Sequence, residues 1–85
     1  MTSPSADVVL YSRTTCPLCD EARDIVARVC REAGVEWVET VIDDSPQLIA
    51  TFGDYVPVVE VAGVQQGFWH INEPRLVRAI AELRP

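Results

Sequence analysis

The sequence predicts an α/β domain in the order β-α-β-α-β-β-α, with a mixed four-stranded sheet flanked by helices. Three observations carry that prediction. Short valine-rich apolar runs alternate with segments whose apolar residues recur every three or four positions. The opening strand, helix and strand form a parallel crossover unit. Two closing strands joined by Ala62-Gly63 form a hairpin that must be antiparallel. Eighty-five residues with 48% hydrophobic content suffice for one small core. We therefore expect a single domain over residues 1–85, ordered from about 7 to 84.

The small, polar residues 1–7 predict a disordered start. Residues 8–12 are apolar and rich in β-formers, hence a buried strand, and Arg13-Thr14-Thr15 is a polar loop. From Leu18 the residues Ala22, Ile25, Val26, Val29, Cys30 and Ala33 share one helical face, and Gly34 ends the helix. Residues 35–42 read as a strand with an acid on each side, Glu36 and Glu39, which suits a sheet edge. Ser45 as cap and Pro46 at the first helical position open a short helix containing Leu48, Ile49 and Phe52. Strands over 56–61 and 64–69 flank Gly63, which supplies a positive φ. The last helix opens at Asn72 with Pro74 in its first turn and is expected to bury Leu76, Val77, Ile80 and Leu83.

Thirteen acids against seven arginines give a net charge of −6, which argues against nucleic acid or an anionic membrane surface as partner. Residues 1–7 lack the apolar stretch of a secretory signal, and no apolar run approaches the roughly 18–20 residues of a membrane span. A cytoplasmic location is expected. There, disulfides are usually transient and chemical. A monomer acting on disulfide-containing proteins or small thiols fits these constraints.

Cys16-Pro17-Leu18-Cys19 lies where the first strand hands over to the first helix. Cysteines three apart across a helical turn can approach within disulfide range, roughly 4.4–6.8 Å between α-carbons. Half of a zinc site has the same spacing, but the strand-to-helix junction favours a redox dithiol. An unperturbed thiol of pKa about 8.5 is only about 3% thiolate at pH 7, so the attacking cysteine needs help. Cys16 at the helix N-terminus would receive it from the dipole and backbone N–H groups, and from Arg13 if that charge approaches, while Asp20 and Glu21 oppose it. We expect Cys16 to attack a substrate disulfide and Cys19 to resolve the adduct.

From Val8 to about Leu83 the chain resembles glutaredoxins. The run Tyr11-Ser12-Arg13-Thr14-Thr15-Cys16-Pro17-Leu18-Cys19 looks like their active-site strand and loop, and Val56-Pro57-Val58-Val59 looks like their segment with a cis-proline. Cys-Pro-Leu-Cys-Asp-Glu-Ala is more similar to a short glutaredoxin-like branch of the thioredoxin superfamily. The resemblance implies a thioredoxin-like fold and a thiol–disulfide oxidoreductase with Cys16 and Cys19 as catalytic residues. It also implies a substrate site formed by Arg13, Pro17, Leu18, Val56, Pro57, Gly67 and Phe68. No bound cofactor or metal is implied, and glutathione or another low-molecular-weight thiol would serve as reductant. A cis Val56-Pro57 bond would leave the Val56 backbone open to an extended substrate. Gly67-Phe68-Trp69-His70 stands where glutaredoxins carry a Gly-Gly pair and acids to hold glutathione.

Other residues read structurally. Cys30 lies on the apolar stripe, about 16 Å along the helix from Cys19 by helical rise, and is expected to be a packing residue. His70 reads as a surface side chain near the strand-to-helix turn. Phe68 and Trp69 alternate, so one is expected in the core and the other beside the thiol groove. Trp37 and Tyr55 read as packing residues, the latter near enough to Val56 to border the site. Asp43-Asp44 reads as electrostatic support for the second helix. Two alternatives to catalysis are a redox-sensing or partner-binding module without turnover, and a metal or iron–sulfur protein, which normally needs four ligands.

Overall fold

The computed structural model describes residues 7–83, so the start expected to be disordered lies, Asp7 excepted, outside them, as does Arg84. The elements are β1 (Val8–Ser12), α1 (Pro17–Ala33), β2 (Trp37–Val41), a 3-10 turn (Ile42–Asp44), α2 (Pro46–Phe52), β3 (Val58–Val61), β4 (Val64–Phe68) and α3 (Glu73–Ala81). The sheet order is β2-β1-β3-β4. β1 runs parallel to β2 and antiparallel to β3, and β3 and β4 form the hairpin, with a register shift between Val59 and Glu60. The acid-flanked β2 is indeed an edge.

Alternation along β1 decides which helix covers which face. Val8 and Leu10 point one way and meet Val26, Val29 and Cys30 of α1 and Leu76 and Ile80 of α3. Tyr11 points the other way and stacks on Phe52 of α2, ring centroids 4.4 Å apart. Helices therefore cover both faces unequally: α1 and α3 seal one, and the seven-residue α2 shields part of the other.

Several boundaries differ from the sequence reading. β2 starts at Trp37, because Gly34 takes the left-handed conformation (φ 72°) and Val35 still donates to Cys30 O, completing the helix end. It stops at Val41, since Ile42 turns into the 3-10 segment. β3 starts at Val58: the Val56-Pro57 peptide is cis, and a proline has no N–H for the ladder. β4 ends at Phe68, because Trp69 adopts φ 62° and leaves the strand direction. In α3, Leu76 and Ile80 are buried, but Val77 faces the shallow groove between α1 and α3 and stays 48% exposed. Phe68 and Trp69 are both exposed, so neither joins the core.

Candidate functional site

Cys16 is the N-cap of α1, with extended backbone, and Pro17 follows at the first helical position. A serine or aspartate oxygen usually fills this role; here the Cys16 sulfur does so, accepting the Cys19 N–H at 3.1 Å. The two cysteines form a disulfide, α-carbons 5.1 Å apart. Their exposures differ. Cys19 is fully buried among the residues of α1 that meet the sheet, whereas Cys16 is half-buried at the mouth of a cleft.

That cleft, of about 400 Å³, runs along the loop after β1. Arg13, Thr14, Thr15, Cys16, Pro17 and Leu18 form one wall, and Asp43 and Val56 complete it. Of the predicted substrate residues, Arg13, Pro17, Leu18 and Val56 thus share the cleft with the sulfur. Pro57 lies fully buried beside it. Gly67 and Phe68 do not line it, because β3 separates their strand from β1. Phe68 instead meets Tyr55 and Trp69 edge-on at 5.7 and 5.1 Å. Trp69 closes this cluster by donating its indole N–H to Asp54 O and its backbone N–H to Pro57 O, both at 2.9 Å. The Val56 N–H donates to Phe52 O at 3.1 Å. The turn after α2 thus satisfies this donor internally, which leaves the carbonyl as the part of the Val56 backbone that can meet an extended substrate.

Asp43 is a cleft residue that sequence reasoning did not place in the site. Ser45 caps α2 as expected, its hydroxyl accepting the Leu48 N–H at 3.2 Å. Asp43 reaches across to the loop after β1, accepting Arg13 Nε at 3.1 Å, the Thr14 N–H at 3.3 Å and the Thr14 hydroxyl. The Thr14 hydroxyl foremost, then Arg13, holds its carboxyl below the usual carboxylate range. Thr15, next along this loop, has φ 55° and precedes Cys16. A signal for this existed: in a parallel unit the loops leaving both strands lie at one end, and Ser12 stands opposite Val41.

Of the two acids after the dithiol, Asp20 is ion-paired. Asp20 accepts from Arg23 at 2.8 Å, and Glu21 lies 3.7 Å from the exposed His70. Arg23 also holds Glu39 of β2 through Nε at 2.7 Å and Nη2 at 2.6 Å. Glu39 in turn accepts the wholly buried Ser12 hydroxyl at 2.5 Å. Cys30 is a free, buried thiol whose pKa burial pushes up to about 11. Among the described residues no group of three or more His, Cys, Asp or Glu side chains is placed to hold a metal ion. No helix among them is long and apolar enough to cross a membrane.

Residues 7–81 match the family profile described as glutaredoxin-like domain (DUF836). Uncharacterized protein Rv0508 of Mycobacterium tuberculosis is 32% identical over 79 residues, covering 87% of this chain and 81% of that protein. The X-ray structure of target protein XcR50 from X. campestris superposes with a TM-score of 0.71 at 29% identity, covering 92% of this chain and 99% of that one. A wheat glutaredoxin shares the fold, with a TM-score of 0.58 at 22% identity over 92% of this chain and 82% of that one.

Proposed function

The chain belongs to the glutaredoxin-like domain family (DUF836), and from that premise we propose that it is a thiol–disulfide oxidoreductase acting through Cys16 and Cys19. The observation that carries the reading is the asymmetry of the pair: an accessible sulfur at a helix N-cap, bonded to a buried one within its own helical turn. In the reduced protein the Cys19 N–H and the helix dipole favour the Cys16 thiolate. That thiolate attacks a disulfide RS–SR, forming Cys16–S–S–R and releasing RS⁻. Cys19 then attacks the Cys16 sulfur, re-forming the Cys16–Cys19 bond and releasing the second RS⁻. The dithiol loses two electrons and two protons, and the substrate gains both. A small thiol such as glutathione, or a reductase, restores the dithiol. Disulfides of proteins or small molecules are its substrates, and a cytoplasmic monomer fits the composition.

The test is turnover. Catalytic amounts of protein with excess bis(2-hydroxyethyl) disulfide are supplied in turn with glutathione, dithiothreitol and a thioredoxin reductase system. Many equivalents reduced per protein molecule would support an oxidoreductase and name its donor. One equivalent consumed and no recycling with any donor would leave a sensing module instead.

A further inference from the structure

We propose that Asp43 sets the charge preference of the dithiol cleft, so that the site takes disulfides with neutral or cationic groups beside the sulfur in preference to anionic ones. The inference rests on the exchange activity proposed above and specifies its substrate class. Arg13 is the cationic side chain lining the cleft. Alone, it would present a planar donor fork suited to a substrate carboxylate. Its Nε is instead 3.1 Å from Asp43 Oδ1, so the wall offers an ion pair with no net positive charge.

Asp43 is not free to swing away. Its second oxygen accepts both the Thr14 N–H and the Thr14 hydroxyl, and the preceding Ile42 is fully buried. These contacts also keep the carboxyl ionised well below neutral pH. A carboxylate bound to the attacked disulfide would meet a cation whose Nε is already paired, with the Asp43 anion beside it. Glu21, two residues after Cys19, and the net charge of −6 add repulsion at longer distance. A substrate ammonium group meets the opposite field.

The experiment follows one exchange cycle with no recycling donor. Reduced protein is mixed with cystamine, bis(2-hydroxyethyl) disulfide or glutathione disulfide. Each oxidation forms the Cys16–Cys19 bond and releases two thiols per disulfide. Rates are divided by those of a free dithiol with the same reagents, which removes their intrinsic reactivities. For the wild type, the normalised cystamine rate should exceed the glutathione disulfide rate by about tenfold, a ratio that added salt compresses. Asp43→Asn should lower that ratio about five- to tenfold, and Arg13→Gln should raise it. The second variant serves if the first does not fold. A ratio near one in the wild type, or the same ratio in the variants, overturns the inference while leaving exchange intact. Failure of all three reagents to oxidise the wild type overturns the exchange reading and the inference with it.

Discussion

The Cys19 N–H points at the Cys16 sulfur across 3.1 Å, so the second cysteine of the pair supports the first through its backbone as well as its thiol. Substitution of the Cys19 side chain leaves that donor in place. Cys19→Ser should therefore still attack a disulfide and then stall, accumulating a mixed disulfide on Cys16 visible by intact-protein mass spectrometry. Cys16→Ser should form no adduct at all, since the remaining thiol of the pair is buried. An adduct on Cys19 in that variant would reverse the roles.

Glu39 ties three elements together: Arg23 of α1, Ser12 of β1 and its own edge strand. Glu39→Ala would leave the buried Ser12 hydroxyl without its partner, a loss of about 1–3 kcal/mol readable as a lower urea midpoint. The Arg23 hydrogen bonds first, then Ser12, hold the Glu39 carboxyl below its ordinary 4.5. A depressed folded pKa means stability that is present above the unfolded value and lost as pH falls. The wild type should weaken on acidification below about pH 4.5, and Glu39→Gln should flatten that part of the curve.

Cys30 should be silent in the native protein. After reduction, a thiol reagent at pH 8 should titrate Cys16 readily, whereas Cys30 should react only once denaturant is added, because burial raises its pKa to about 11 and blocks access. A raised folded pKa contributes stability below the unfolded value and loses it as pH rises. Stability should therefore decline between about pH 9 and 11, and Cys30→Ala should remove that decline. Equal reactivity of Cys30 and Cys16 in the native state would contradict the packing.

The β3–β4 turn carries avoidable strain. Ala62 and Gly63 both have positive φ, 52° and 82°, and only the glycine adopts it freely. Ala62→Asn supplies a residue that tolerates the left-handed region and creates the Asn-Gly pair favoured in such hairpins. The variant should be more stable by about 0.5–1 kcal/mol, measured as a higher melting temperature with unchanged exchange rate. A lower melting temperature would mean that the alanine methyl makes a contact worth more than the strain.

Ile80→Ala should cost about 2–5 kcal/mol, whereas Val77→Thr should stay within about 0.5 kcal/mol. Chemical denaturation of the two variants distinguishes them. Periodicity placed Val77 with Leu76 and Ile80, but Val77 looks into the α1–α3 groove and stays exposed.

Sequence alone determined what depends on near neighbours. The α1 stripe, the Gly34 stop, the Ser45 and Asn72 caps and the hairpin all follow from periodicity, φ preference and side chains that answer N–H groups within one turn. The helix-tip location of Cys16 is of this kind, which is why the dithiol stood out. Tertiary structure decided what depends on chain segments distant in sequence. Asp43 meets Arg13 and Thr14 because two parallel strands end together, and Gly67 and Phe68 miss the cleft because β3 lies between. Local propensity carries no record of which loops become neighbours; that is set by strand order and by burial of one sheet face against α1 and α3.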